Sequence, residues 1–420
     1  MERWQIAVVG AGAAGLMAAR AAALAQREQG KPVNVLLLEG NPKAGKKLLA
    51  TGNGRCNLTN LGIVPAHYHG DVGEAAALLQ SFPPDRILGE FEKMGLLCRA
   101  DEEGRVYPRN LQAAAVLQAL RSSCQELGVV SRCDVGVSAI AVDQGGFRLE
   151  LGENHTLWAS GCVLACGGKA SPKHSWNEGG YALARQLGHS VTELYPSLTY
   201  LKSPKKSLRS LKGMRARVRA ALWVQGEKQY QETGEVLFGD GSMSGICLFN
   251  LSAQLRGQVP KGTEVSLDLA EDMPYRELLN YLESQVKTHP GYPAWELFAG
   301  VLNLRVGEEL MKELGVSREM VFQDLTRQQL RKAAGLCKDW RFPVTGTGDW
   351  ESAQVTAGGV PLKEVDCRTM ESKKRPGLYL AGELLNLDGD CGGYNLHWAW
   401  ATGFLAGRSA GLKRKGNGKC

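Results

Sequence analysis

Three glycines carry the first readable chemistry of this chain. Gly10-Ala-Gly12-Ala-Ala-Gly15 follows a short apolar run, Gln5 to Val9, and opens an Ala-rich stretch, Ala13 to Gln29. Gly30 and Pro32 end that stretch, and a second apolar run, Val33 to Leu38, closes on Glu39. Strand, glycine turn, helix, strand and carboxylate in one short unit is the context that gives Gly-x-Gly-x-x-Gly its meaning. Gly10 allows the turn, Gly12 lets the backbone approach a pyrophosphate, and Gly15 lets the helix pack on the sheet. The helix N-terminus then faces phosphate charge, and Glu39 accepts from a ribose hydroxyl, which argues against a 2′-phosphate there. The competing reading is an Ala/Gly packing turn with a surface glutamate.

A second glycine-rich segment lies far along the chain. Gly377-Leu-Tyr-Leu-Ala-Gly382-Glu383 sets a short apolar strand before a glycine and a carboxylate. Asp388-Gly-Asp390-Cys-Gly392-Gly393-Tyr394-Asn395 follows, then a helical run from Leu396 to Gly407. FAD enzymes of the two-domain type use such a late segment to reach ribitol and pyrophosphate. Backbone N–H groups at that helix start can face the flavin pyrimidine edge, where a positive helix end stabilises anionic reduced flavin. With both ends present, FAD is expected rather than a bound NAD. Only one fingerprint exists, so NADH or NADPH, if it is the reductant, must dock transiently. The bland alternative is a glycine-rich loop with a core helix.

The elements between must bring these two segments together. Apolar runs joined by a helix argue a buried parallel sheet. Residues 140–168 read as strands and turns ending in Cys162-Val-Leu-Ala-Cys166 before Gly167-Gly168. Residues 194–265 read as strands and loops, with alternation over Arg215–Val224. Residues 272–340 read as helical, with Leu278, Leu279, Leu282 and Val286 on one face and Leu310, Leu314, Leu325 and Leu330 in later segments. The expected fold is α/β: a two-segment Rossmann-like FAD domain (1–192 and 343–420) interrupted by a β-rich, barrel-like domain (193–270 and 330–342). The latter is itself interrupted by a helical domain (271–329).

The run Gly45-Lys-Lys-Leu-Leu-Ala-Thr-Gly-Asn-Gly-Arg-Cys-Asn-Leu-Thr-Asn60 resembles a signature of the BaiN/RdsA family of flavoproteins. So do Tyr107-Pro-Arg109, Phe342-Pro-Val-Thr-Gly346, Ala353-Gln-Val-Thr-Ala-Gly-Gly-Val360 and Gly389-Asp-Cys-Gly-Gly-Tyr-Asn-Leu-His-Trp-Ala-Trp400. The likeness spans nearly the whole chain and implies an FAD domain with one β-rich and one helical insertion. It implies a reductase of activated carbon–carbon double bonds, acting on a uridine of large-subunit ribosomal RNA in one branch and on bile-acid enones in another. Carried onto this sequence, it adds Ala13, Ala14, Gly40, Lys47, Gly52, Asn53, Gly54, Arg55, Cys56, Asn57, Gly167, Gly168, Gly382, Glu383, Asp390, Gly392, Gly393, Tyr394, Asn395 and Leu396 as cofactor-binding positions. Departures fall at Leu237–Gly245, at 174–180, and at Cys391, where threonine is more usual; they bear on the substrate rather than on the flavin.

A hydride delivered to the β-carbon of an enone (C6 of uracil) leaves the α-carbon (C5) to be protonated. Cys56 is the candidate proton donor, because a neighbouring guanidinium, Arg55, lowers a thiol's pKa. The alternative is that Cys56 packs as a small apolar residue while Asn53 and Asn57 organise the loop. Cys162 and Cys166, on an apolar strand, are expected in the core. His397 reads as a structural histidine, and Tyr107 and Arg109 as either ligand contacts or surface groups.

Charge placement bears on the partner. The chain has 420 residues and a formal charge of +7. Between Leu194 and Gly226, Lys202, Lys205, Lys206, Arg209, Lys212, Arg215, Arg217 and Arg219 occur with no acidic residue, so the remainder is about neutral. Lys413, Arg414, Lys415 and Lys419 add to the tail. Such a stripe suits a phosphate backbone, with Tyr195, Tyr200 and Trp223 as stacking platforms; a solubilising loop is the alternative. The expected partner is ribosomal RNA, bound through Lys202, Lys205, Lys206, Arg209, Lys212, Arg215 and Arg217. A small-molecule reductase or oxidase, or a catalytically idle flavin scaffold docked on RNA, are the rivals.

Apolar residues at 44% allow a large core, and 52 glycines imply many tight turns. No run of 18 apolar residues is present, so no membrane span is expected. Met1-Glu-Arg-Trp-Gln5 enters a strand without a signal-peptide pattern, and eleven scattered cysteines lack a Cys-x-x-Cys pair. Reduced thiols, no metal and a cytoplasmic setting are expected.

Overall fold

Glycine turns and apolar runs fold here into buried parallel strands. The computed structural model describes residues 1–152, 155–173 and 179–412. Most of the 174–180 stretch and the tail residues Lys413, Arg414, Lys415 and Lys419 therefore lie outside the described residues. The chain forms two compact units, Met1–Pro196 with Ala353–Cys420, and Ser197–Ser352.

In the first unit five parallel strands, β1 (Glu2–Val9), β2 (Val35–Leu38), β3 (Val130–Arg132), β4 (His155–Leu164) and β5 (Leu378–Leu380), lie side by side in the order β3-β2-β1-β4-β5. This is the strand order of a Rossmann-like sheet. Every residue of β2 is buried, which explains its unbroken apolar run. One edge of β4 pairs with β1. The other is shared between a hairpin strand, Gly146–Leu151, and β5.

Helices α1 (Ala13–Glu28), α2 (Ala113–Leu127) and α3 (Tyr394–Leu412) cover the sheet. A Cβ added at Gly403 or Gly407 would strike the carbonyl oxygens of Ala14 or Ala18, and one at Gly411 would press on Ala22. The early and late segments are thus held backbone to backbone. Arg20, buried on α1, pairs with Glu90 at 2.7 Å and donates to Ser123 at 3.0 Å, so its charge is matched within the core.

The second unit carries a seven-stranded antiparallel sheet in the order Trp340–Pro343, Thr263–Asp268, Arg215–Val224, Glu227–Phe238, Ser242–Ser244, Leu201–Lys202, Gly346–Thr347. Its two outermost strands are consecutive in the chain, which curls the sheet on itself. Alternation in Arg215–Val224 buries Val218, Ala220 and Leu222 and turns Arg215 and Arg217 outward. Helices Tyr275–Thr288, Leu304–Glu313 and Arg327–Lys338 send Leu278, Leu282, Leu310 and Leu330 into the same core as the strands. The segment expected as a separate helical domain thus shares the core of the β-rich part. No helix among the described residues is long and apolar enough to cross a membrane.

Candidate functional site

The site begins where β1 ends. Gly10 sits at φ +98°, a conformation that suits glycine, and its N–H donates to the Leu38 carbonyl at 2.8 Å. A Cβ at Gly15 would collide with the Gly10 carbonyl oxygen, so this glycine sets how tightly turn and helix pack. At Gly12 a Cβ would meet nothing within 4 Å. That open face adjoins the first-turn N–H groups of α1, which have no partners within the helix. Glu39 ends β2 with a nearly buried carboxylate. Oε2 accepts from the Ala11 N–H at 2.9 Å, and Oε1 accepts from the backbone and side chain of Asn41 at 2.9 and 2.8 Å.

These groups line one cleft with about 1190 Å³ of empty space, part of it open solvent. Gly10, Gly12, Ala13, Ala14, Glu39, Gly40, Lys47, Gly167, Gly168, Gly382, Glu383, Asn395 and Leu396 all border it. At one wall Lys47 pairs with Glu383 at 2.7 Å, and the other oxygen of Glu383 accepts from the Thr356 N–H at 2.9 Å. The Thr356 hydroxyl oxygen accepts from the N–H groups of Lys169 and Ala170 at 2.8 and 2.9 Å. Gly168 lies so close to Glu383 and Thr356 that a side chain has no room. The open backbone at Gly12, the donors of α1 and the Glu39 carboxylate fit a dinucleotide. The first turn of α3 supplies a second set of N–H groups at Asn395 and Leu396.

Other expected positions take different places. Gly52, Asn53, Gly54 and Arg55 form an exposed loop next to Thr51, which lines the cleft. Arg55 lies over the Tyr107 ring, 5.4 Å from its centroid, rather than on a thiol. Cys56 is 0% exposed, and burial pushes its pKa up to about 12. This overturns the expectation that Arg55 activates it; the structure gives it the packing environment of a small apolar residue. Asn57 lies under the Gly393 turn. Gly392, Gly393 and Tyr394 shape the start of α3 from behind the cleft wall. Asp390 turns away from the cleft to two histidines.

His397 is buried, sharing a hydrogen bond with the Thr59 hydroxyl at 2.8 Å and another with the Phe82 carbonyl at 2.8 Å. Burial pushes its pKa down to about 4, so it is a neutral structural group. Cys162 is core, whereas Cys166 lines the cleft with its thiol towards the Val9 carbonyl, correcting the expectation that both are buried packing residues. Gln354, Val355, Leu387 and Trp398 also line the cleft and were not singled out in the sequence. The position of Gln354 within the Ala353–Val360 run was the available signal.

A further constellation escapes any sequence motif. Ser372, His189 and Glu364 form a chain, Oγ to Nε2 at 2.8 Å and Nδ1 to Oε2 at 2.7 Å. The spacing is that of a hydrolase triad, but all three residues are buried and the Ser372 oxygen already accepts the N–H groups of Lys374 and Arg375. It is a structural knot, not a nucleophile.

The basic stripe of the second unit is largely paired. Arg215 meets Glu235 at 2.5 Å, Arg217 meets Glu271 at 2.8 Å, and Arg219 lies near Asp268 and Glu271. Arg209 and Lys212 face Asp240 at 3.5 and 3.7 Å. Lys205 is half-buried: it pairs with Glu313 at 2.9 Å, donates to the Arg341 carbonyl at 2.8 Å, and lies over Trp340 and Phe342. That makes Lys205 a framework residue of this unit. Trp223 carries Arg341 at 4.0 Å from its ring centroid and donates to Ser266, so its face is already covered. Lys202 and Lys206 are exposed. Among the described residues no cluster of His, Cys, Asp and Glu is placed to hold a metal.

The model of the HI0933-like protein Rossmann domain matches residues 4–409. The chain belongs to the HI0933-like family. One HI0933-like relative, from Clostridium scindens and named 3-dehydro-bile acid delta(4,6)-reductase, is 35% identical over 409 residues, 97% of this chain and 98% of its own. Another, from Escherichia coli and named ribosomal RNA dihydrouridine synthase, is 30% identical over 403 residues, 96% of each chain. With full-length relatives of these kinds, this HI0933-like chain is an oxidoreductase. Among solved structures, a 3-ketosteroid-delta4-(5alpha)-dehydrogenase from Rhodococcus jostii RHA1 shares the fold at a TM-score of 0.52 and 14% identity, covering 98% of this chain and 97% of the other.

Proposed function

We propose that this protein is an FAD-dependent reductase of carbon–carbon double bonds conjugated to a carbonyl. The observation that carries the reading is the cleft. Open backbone at Gly12, donors at the start of α1 and the anchored Glu39 carboxylate meet the first turn of α3, as a dinucleotide reaching from adenosine to flavin requires. When bound and reduced, FAD supplies the hydride. The chain's own part is to hold and orient. Glu39 accepts from ribose, α1 faces the pyrophosphate, Lys47 and Glu383 form a paired polar wall, and α3 directs its positive end to the far side of the cleft. The substrate's β-carbon takes the hydride and its α-carbon takes a proton from a donor at the mouth. Half-buried Tyr107 and Cys391, the latter with its thiol towards Gln354, are better situated for that than fully buried Cys56. NADH or NADPH restores the reduced state by transient docking.

Two substrates share this chemistry. Reduction of a ribosomal RNA uridine is supported by the relative of that name and by the sequence stripe. A steroid-like enone is supported by the relative at 35% identity and by the ion pairs that occupy six of the eight stripe cations. The pairing leads us to place the small enone first. The test is to reduce the purified, FAD-loaded protein anaerobically and follow flavin reoxidation. One arm receives a conjugated bile-acid enone, the other large-subunit ribosomal RNA, with dihydrouridine read by mass spectrometry. Reoxidation in neither arm defeats the reductase reading; reoxidation by RNA alone reverses the order of substrates.

A further inference from the structure

We propose that His67 and His69 are positioning residues for the cofactor site, clamping the Asp390–Gly393 turn from behind and offsetting the charge of the Asp390 carboxylate. The inference rests on the FAD reading and deepens it. The turn that introduces α3 contains Gly392 at φ +131° and Gly393 at φ +103°, and two adjacent glycines have little intrinsic preference for one shape. Something outside the turn must fix it.

The segment 65–70 supplies that restraint. Tyr68–Gly70 pairs antiparallel with Leu387–Gly389, and the Asp390 N–H donates to the His67 carbonyl at 2.9 Å. The Asp390 side chain is 3% exposed; its Oδ2 lies 3.0 Å from His67 Nδ1 and its Oδ1 lies 2.9 Å from His69 Nε2. A carboxylate this deep is tolerated only when both oxygens are satisfied, and here two imidazoles satisfy them. The His67 ring also stacks on Tyr394, the first residue of α3, at 4.5 Å between centroids. The Tyr68 hydroxyl donates to the Tyr394 carbonyl at 3.1 Å. Asn395 closes the turn by accepting from the Gly389 N–H at 2.9 Å and donating to the Gly389 carbonyl at 2.7 Å. The next residues, Asn395 and Leu396, already line the cleft. The two histidines therefore stand one layer behind the N–H groups that would face the flavin.

The clamp has a geometric part and an electrostatic part, and they are separable. His67→Asn with His69→Gln places amide nitrogens near the positions of Nδ1 and Nε2 and keeps both donors; His67→Ala with His69→Ala keeps neither. FAD dissociation constants and flavin midpoint potentials are measured for the wild type and both pairs. The alanine pair should weaken FAD binding about tenfold or more and shift the potential, and the amide pair should recover most of the affinity. Asp390→Asn should raise the potential, because it removes a buried negative charge beside the cleft. Wild-type affinity and potential in the alanine pair, or an amide pair as weak as the alanine pair, overturns the clamp. An unaltered potential in Asp390→Asn overturns its electrostatic part. Should the alanine pair fail to fold, His69→Ala against His69→Gln decides by the same readings. A wild-type protein that takes up no FAD instead defeats the underlying cofactor reading.

Discussion

The cleft of the first unit and the basic stripe of the second are both conspicuous in the sequence, yet they differ in what surrounds them. In the cleft, the motif turn keeps donors and space for a ligand: a Cβ at Gly12 would meet nothing within 4 Å, and the first-turn N–H groups of α1 have no partners within the helix. In the stripe, acids distant in sequence have found the cations. Asp240, Glu235, Glu271 and Glu313 meet Lys212, Arg215, Arg217 and Lys205. A local charge count sees none of those partners. A motif whose groups remain unsatisfied in the folded chain speaks for a ligand, whereas one whose groups are satisfied speaks first for the fold.

That contrast can be broken most sharply at two neighbouring glycines. Gly15→Val should prevent the first unit from folding, because its side chain has no space beside the Gly10 carbonyl. Gly12→Val should fold with a near wild-type melting temperature yet bind no FAD, since its side chain occupies only the ligand's space. Flavin absorbance after desalting and thermal denaturation separate the two, and a Gly12→Val protein that retains FAD would contradict the cleft assignment.

Next in size is the stripe's one framework cation. Lys205→Ala leaves Glu313 Oε1 and the Arg341 carbonyl without this donor, while Trp340 Nε1 still serves Glu313 Oε2, and should cost about 1–3 kcal/mol of unfolding free energy. Lys206→Ala, exposed, should stay within about 0.5 kcal/mol. Equal losses in urea titration would erase the distinction.

His397 offers a pH test within the first unit. Folding holds it neutral, with a pKa pushed from 6.5 down to about 4 by burial, so the unfolded chain takes up its proton first on acidification. Its share of stability is complete above pH 6.5 and is lost as pH falls towards about 4. His397→Gln should be less stable at neutral pH and show a shallower loss of melting temperature across that window. Parallel curves for the two proteins would remove His397 from the account.

The smallest effect is expected from reversing the exposed cations alone. Lys202→Glu with Lys206→Glu should leave FAD content and enone reduction unchanged. A large loss of RNA affinity with a flattened salt dependence would restore the RNA reading.

Much of the first unit was legible. The turn at Gly10–Gly15, Glu39 at the end of β2 and the late helix from Tyr394 follow from local rules of turn, period and terminus, which act over a few residues. β3 was not legible, because three residues carry no period and two of its three positions are exposed. Neither were Asp390's partners: His67 and His69 lie more than 300 residues away in sequence. For Cys56 the neighbour in sequence misled, since Arg55 points to Tyr107 while the thiol sinks into the core.

The backbone-to-backbone seam between α1 and α3 has a temporal corollary. Ala14, Ala18 and Ala22 are made before the whole second unit, and the glycines that cover them, Gly403, Gly407 and Gly411, only after it. During synthesis the early helix must therefore stay uncovered until the late one has been made, so this unit cannot complete its core in simple N- to C-terminal order.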